Sequence, residues 1–324
     1  MKRFVGMVLA MVLLLTAACA WAEAADPAQG ASGSWAQINQ SIERPENWQP
    51  YVENSPFILG SGVPMEGYPE YTVLDWGTYP SIDGSTVCVP LGMELARQHL
   101  DIAEEDLPGF VPFSTTHNAY MRLIEGKPNP MVSIASQNAV MDPGEPVRLF
   151  LGTEPSDEEL QIAADAGVEL VKVPFCYDAF VFLVNGANPV ENLTVEQIQK
   201  IYSGEITNWK QVGGKNEEIA AFQRNEGSGS QSMLKRFMGD TPIMEAPTEL
   251  VNSRMTGIIE KVSDYRSKSN SIGFSFRYYV EGIIQNPDIK MLSVDGVAPT
   301  AENIRNGTYP IVTPMYAVTY EENT

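Results

Sequence analysis

The chain has 324 residues, more than one small core needs and enough for one large or two medium domains. Hydrophobic residues make up 44% and aromatics 9%, which excludes a disordered chain. The formal net charge of -20 excludes nucleic acid as a partner, because phosphate backbones need a basic footprint; a small buried anion is not excluded, since surface charge is screened over about 8 Å at physiological salt.

The N-terminus carries Lys2 and Arg3, an apolar run from Phe4 to Leu15, and then small residues. This order predicts a secretory signal over residues 1–22, too short for a membrane span. Two processing readings stand side by side. Ala20-Trp21-Ala22 fits ordinary cleavage, whereas Leu15-Thr16-Ala17-Ala18-Cys19 resembles a lipobox that would leave Cys19 as a lipid-bearing first residue. Both place the mature protein outside the cytoplasm, periplasmic or at the cell surface. Residues 23–67 are rich in Ala, Gly, Ser, Asn, Pro and Glu and read as a tether.

From Tyr79 onward strands and helices alternate. Tyr79–Ile82 predicts a short strand, Asp83-Gly84-Ser85-Thr86 a turn, and Val87–Leu100 a helix with Pro90 in its first turn. Ser114-Thr115-Thr116 opens a helix that runs to Glu125 and closes at Gly126. Residues 127–146 hold four prolines and no periodicity, which predicts an insertion or long loop. Val147–Gly152 predicts a strand, and Ser156 caps a helix over Asp157–Ala166 that stops at Gly167. Val168–Val173 and Ala179–Val184 predict strands, the second apolar on both faces and so fully buried. Thr194, with Gln197 three residues on, predicts a capping box for the helix Val195–Tyr202. Ile219–Phe222 predicts a strand, and a helix follows Gly227-Ser228-Gly229-Ser230 as far as Met238. The alternation predicts α/β lobes.

One arrangement recurs: a strand, a Gly/Ser/Thr turn, then a helix. It occurs at Asp83–Thr86, at Ser114–Thr116 and at Gly227–Ser230. Helix N-termini offer unpaired N–H groups and partial positive charge, hydroxyls add donors, and glycine lets backbone approach a ligand. Each turn taken singly also fits plain capping. Together they suit an anion, and Arg224 just upstream of the third suits a bidentate oxyanion contact. Glu226 follows Arg224 by two residues and stands as a candidate to orient its guanidinium.

Other chemistry has little support. No G-x-S-x-G elbow occurs, and His99 and His117 sit in no ligand-spaced cluster, so neither an enzyme nor a metal or cofactor is expected. Cys88 and Cys176 could pair as a disulfide in an oxidising compartment, but two cysteines are not a framework, and two separate buried thiols are the first reading. Trp209 and Tyr202 read as packing residues, as do Tyr278 and Tyr279.

The runs NLTVEQIQKIYSGEITNWKQVGG and FQRNEGSGSQSMLKRFM resemble the substrate-binding proteins of bacterial phosphate ABC transporters. IDGSTVCVPLGMELA resembles that family's first ligand loop, and SIGFSFRYYV and GVAPTAENIRNGTYPIVTPMYAVTY resemble its return to the first lobe. The resemblance covers roughly residues 79 to 320. It implies an α/β two-lobed clamp of periplasmic-binding-protein type II, with two crossover strands as the hinge. Lobe 1 would take 68–175 plus 273–324 and lobe 2 would take 176–272, the crossings falling near Pro174–Phe180 and Ser271–Phe274. Tyr278 and Tyr279 would then pack lobe 1.

The family motif R-x-D-G-S-G-T maps to Arg224, Ser228, Gly229 and Ser230, with Glu226 where the family has its arginine-orienting aspartate. The first loop maps to Ser85, Thr86 and the Val87 amide, and the second helix start to Ser114 or Thr115. The family's aspartate that accepts from protonated phosphate has no clear counterpart, and Glu154 is the nearest candidate. The implied function is capture of inorganic phosphate, or a similar oxyanion, by a monomer that docks on an ABC permease. The alternative is an anion sensor or accessory binding protein on the same fold.

Overall fold

A computed structural model of the chain describes residues 81–100, 113–128, 132–134, 139–141, 145–253, 255–263 and 270–321. The expected signal segment, Cys19 and the tether lie outside the described residues, as does the His99 side chain.

Strand β1 (Ile82–Gly84) leads through a 3-10 turn (Thr86–Cys88) into helix α1 (Val89–Leu100). Helix α2 (Thr116–Glu125) ends at Gly126, whose φ of 65° gives the left-handed stop that glycine tolerates. Strands β2 (Val132–Ile134) and β3 (Ala139–Met141) pair antiparallel, and Pro128 bridges Pro146. The segment expected as an unpatterned loop thus carries a hairpin. Val132 and Ile134 alternating about Ser133 supply the period of two that its prolines obscured. Strand β4 is Leu149–Gly152, and α3 is Asp157–Asp165 with the Ser156–Glu159 capping box in place.

The two strands expected at 168–173 and 179–184 are one, β5 (Leu170–Asn185). Proline fixes φ near a value that extended backbone accepts, so Pro174 does not end it. After β6 (Asn192–Leu193), α4 (Val195–Tyr202) carries the predicted Thr194–Gln197 box. Then come β7 (Ala220–Ala221), β8 (Gln223–Arg224), α5 (Gly229–Met238), β9 (Val251–Asn252), α6 (Met255–Ser263) and β10 (Ser271–Phe276). A π-helical turn (Tyr279–Ile284) precedes β11 (Ile289–Met291), β12 (Ser293–Val294), α7 (Ala301–Arg305) and β13 (Val312–Tyr320).

The described residues form two units, 81–176 with 314–321, and 177–313. In the first, β1 pairs parallel with β4, and β4 pairs antiparallel with β13. Helix α2 lies on this sheet. Its Tyr120 ring stacks on Phe150 with centroids 3.9 Å apart, and Ala119, Leu123, Val147 and Val318 close the core. Burying a side chain of this size contributes about 1.5–3 kcal/mol. Tyr120 also donates its hydroxyl to the Thr153 carbonyl at 2.8 Å. Cys88 is buried and Cys176 is partly buried.

In the second unit the strand order is β11–β5–β10–β7, antiparallel except for β10 and β7. Residues Ala179–Val184 are fully buried, as their apolar run predicts. Phe182 packs on Phe237 and Tyr202, and Phe180 on Phe274. Trp209 and Tyr202 are core residues of this unit, as expected.

The chain enters the second unit between Cys176 and Tyr177, and leaves it between Thr313 and Pro314, not at the expected 271–274. The reason is strand pairing. Both β10 and β11 pair with the 180–185 stretch of β5, which keeps the chain beside that strand. Tyr278 and Tyr279 therefore belong to the second unit, contrary to their expected place in the first.

Candidate functional site

Each unit carries one cluster of the expected residues. In the second unit, β8 delivers Arg224 and a tight turn follows. Gly227 adopts φ 74°, open to glycine without strain, and brings Ser228 back to start α5. Ser228 occupies the N-cap position, but its hydroxyl makes no capping bond. It lies 3.1 Å from the Ser230 hydroxyl instead. Ser228, Gly229 and Ser230 are all buried.

Arg224 is 8% exposed, and no described residue forms an ion pair with it. Its Nε donates to the Asn252 carbonyl at 3.0 Å and its Nη2 to the Ser253 carbonyl at 3.2 Å, while Nη1 stands 3.5 Å from Ser230 Oγ. Burial pulls its pKa down to about 10, with Tyr279 pulling the other way. Tyr279, itself raised by burial, faces this cation. Glu226 does not take the orienting role expected of it. Its carboxylate is exposed and pairs with Lys235, so backbone carbonyls hold the guanidinium instead.

In the first unit, Ser85 and Thr86 open the 3-10 turn that leads into α1. The Ser85 amide donates to Leu151 at 2.8 Å, yet its hydroxyl is buried and finds no partner among the described residues. Ser114 and Thr115 precede α2. Thr115 takes φ 80°, a left-handed value costly for a non-glycine residue, and does not cap the helix with its side chain. Asp83 ties these two starts together. Its Oδ1 accepts from the amides of Gly84 and Ser114, both at 2.7 Å, and its Oδ2 accepts from the Ser114 hydroxyl. Burial raises its pKa, against the pull of those donors and of Arg122. Glu154, the candidate acceptor, pairs with Lys172 at 2.7 Å.

Side-chain capping differs among the described helix starts. Ser156, Thr194 and Thr300 cap α3, α4 and α7 through their side chains. Ser85, Thr115 and Ser228 stand at N-cap positions with no such bond. The three turns singled out from sequence are thus ones whose hydroxyls are not spent on capping. Sequence reasoning missed Asp83, Asn252, Ser253 and Tyr279. The one available signal was Asp83 beside Gly84-Ser85-Thr86, read only as a turn residue.

Residues 136–324 match the family model of the PBP superfamily domain. The chain belongs to the PBP superfamily. Within it, the chain is similar to the phosphate-binding protein PstS of Borreliella burgdorferi, with 33% identity over 150 residues, covering 45% of this chain and 53% of the relative. The chain spans about half the length of the curated relatives it matches. Its structure is similar to that of a putative phosphate ABC transporter substrate-binding protein with bound phosphate from Clostridium perfringens. That match has 26% identity and a TM-score of 0.52, and covers 76% of this chain and 87% of the other. An ABC-type phosphate transport receptor from Vibrio cholerae matches with 24% identity and a TM-score of 0.52, over 76% of this chain and 88% of that one. These likenesses bear out the α/β type II clamp expected for this PBP superfamily member.

Proposed function

We propose that the protein is an extracytoplasmic solute-binding protein that captures inorganic phosphate for an ABC importer, without turning it over. One observation carries the reading: Arg224 is a buried cation with no acidic partner among the described residues, set beside the uncapped start of α5. A cation whose described partners are all neutral oxygens suits an incoming anion, which would relieve its desolvation. Charge-assisted hydrogen bonds contribute about 1.5–3 kcal/mol and neutral ones about 1. Arg224, the Ser228 and Ser230 hydroxyls and the α5 amides would together approach the roughly 8 kcal/mol of micromolar binding, and Ser85, Thr86 and the start of α2 in the first unit offer donors of the same kind.

The relatives' names support phosphate as the ligand and an importer as the partner. Among the described residues no helix is long and apolar enough to cross a membrane. The basic start and apolar run of residues 2–15 support export, with Cys19 as the lipid-bearing residue if processing stops there. A monomer docking on a permease completes the reading. Calorimetric titration of refolded, ligand-free protein tests it. One-to-one phosphate binding is expected, and its absence refutes the proposal.

A further inference from the structure

Strands β7 and β10 run parallel, with Ser271 opposite Ala220 and Ile272 opposite Ala221. Both chains leave this pairing in the same direction. One delivers Arg224 on β8, and the other delivers Tyr279 at the first position of the π-helical turn. Sheets of this kind bind ligands beyond the C-terminal ends of their parallel strands. The backbone on both sides of Tyr279 is held. The Tyr278 amide donates to the buried Asp178 carboxylate at 3.2 Å, and a Cβ on Gly282 would stand 2.5 Å from the Tyr278 ring. Gln285, at φ 50°, ends the turn with its amide on the Val280 carbonyl at 2.8 Å. The Tyr279 side chain is buried, yet its hydroxyl makes no hydrogen bond with a described residue. The charges acting on it are Arg224 and Glu260, and burial keeps its proton in place. A buried phenol ordinarily finds a partner, and this one has a proton to give.

We infer that Tyr279 is a further ligand-binding residue of the second unit, its hydroxyl donating to an oxygen of the anion that Arg224 holds. The inference rests on the phosphate reading above. Arg224 and Tyr279 are both buried, and the described groups that touch the guanidinium are neutral oxygens. A bound oxyanion would accept from the cation and from the phenol together. A neutral phenol suits this place better than a carboxylate, because it adds a donor without cancelling the charge of Arg224. With the turn held by Asp178 and Gly282, the donor is in place before the ligand arrives, and binding orders little more of the chain.

The test titrates ligand-free parent, Tyr279→Phe, Arg224→Met and the double variant with inorganic phosphate. Tyr279→Phe keeps the ring and removes only the hydroxyl. It should weaken phosphate binding about tenfold or more. In the Arg224→Met background the same substitution should still weaken binding, by about threefold or more, because the phenol touches the anion itself. Without ligand, Tyr279→Phe should melt no lower than the parent, since the hydroxyl it loses bonds no described residue. Unchanged affinity in Tyr279→Phe overturns the inference and spares the phosphate reading. A loss seen only where Arg224 is present also overturns it, because Tyr279 would then act on the arginine and not on the ligand. Should Tyr279→Phe fail to fold, by circular dichroism, the parent's near-ultraviolet difference spectrum decides. Phosphate is expected to perturb a tyrosine band there, and an unperturbed spectrum overturns the inference. A parent that binds no phosphate sinks the phosphate reading and the inference with it.

Discussion

Arg224 reaches Asn252 through its guanidinium, Nε donating to the Asn252 carbonyl at 3.0 Å. That carbonyl also accepts the Asn225 amide at 3.2 Å, and Ser253, whose carbonyl takes the second guanidinium bond, is exposed. Removing the guanidinium therefore strands neither acceptor. It also removes a cation that burial disfavours. Arg224→Met is expected to melt no lower than the parent in the ligand-free state and to lose at least about 30-fold in phosphate affinity. Thermal melts with and without phosphate check both halves; a large loss of ligand-free stability would contradict this account of the arginine.

Gly84→Ala should disturb the first unit. A Cβ at Gly84 would stand 2.1 Å from the Leu151 carbonyl oxygen, which is backbone and cannot swing away. The same oxygen accepts the Ser85 amide. The variant is expected to lose about 2 kcal/mol or more in urea denaturation and to bind phosphate more weakly through a displaced Ser85. Unchanged stability would mean that β1 and β4 separate at no cost.

Asp178 sets a pH dependence. Burial raises its pKa to about 6, opposed by the amides of Ala179 and Tyr278 and by Arg277. The folded state thus holds this proton more tightly than the unfolded chain. The stability from this group is complete below about pH 4 and is lost as pH rises through about 6, a loss of roughly 3 kcal/mol by pH 7. Asp178→Asn keeps the oxygen that accepts from Ala179 and Tyr278. Its melting temperature should exceed the parent's above pH 6 and converge with it near pH 4. A gap that does not change with pH would rule this out.

Glu159 serves two elements at once. One oxygen accepts the Ser156 amide at 2.7 Å, closing the capping box of α3, and the other meets His117 Nδ1 of α2 at 3.1 Å. Glu159→Ala should cost about 2 kcal/mol, more than the loss of about 1 kcal/mol typical for a cap alone. Chemical denaturation of Glu159→Ala beside Ser156→Ala separates the two contributions. Equal losses would show that the His117 contact adds nothing.

Much of the chain was legible where its information is local. The Ser156–Glu159 and Thr194–Gln197 boxes lie three residues apart on one backbone turn, and both form. Arg224, Ser228, Gly229 and Ser230 fall within one strand–turn–helix segment and come together as expected. The wholly apolar run at 179–184 had no polar face to leave in water, and it is buried.

Contacts between distant segments were another matter. Residue type and order placed Asp83 in a turn, whereas it lies in β1, and they did not show that Ser114, 31 positions on, would lie against it. Glu226 was placed by its two-residue distance from Arg224, yet its side chain leaves the turn on the exposed side and meets Lys235. The guanidinium is held from 28 positions away, by carbonyls that every residue possesses and no residue type advertises. Periodicity and capping act within one element, so the order of residues was enough to specify those elements and the donor turns between them. Which carboxylate faces which hydroxyl depends on how strands and helices pack, and there backbone groups compete with side chains on equal terms.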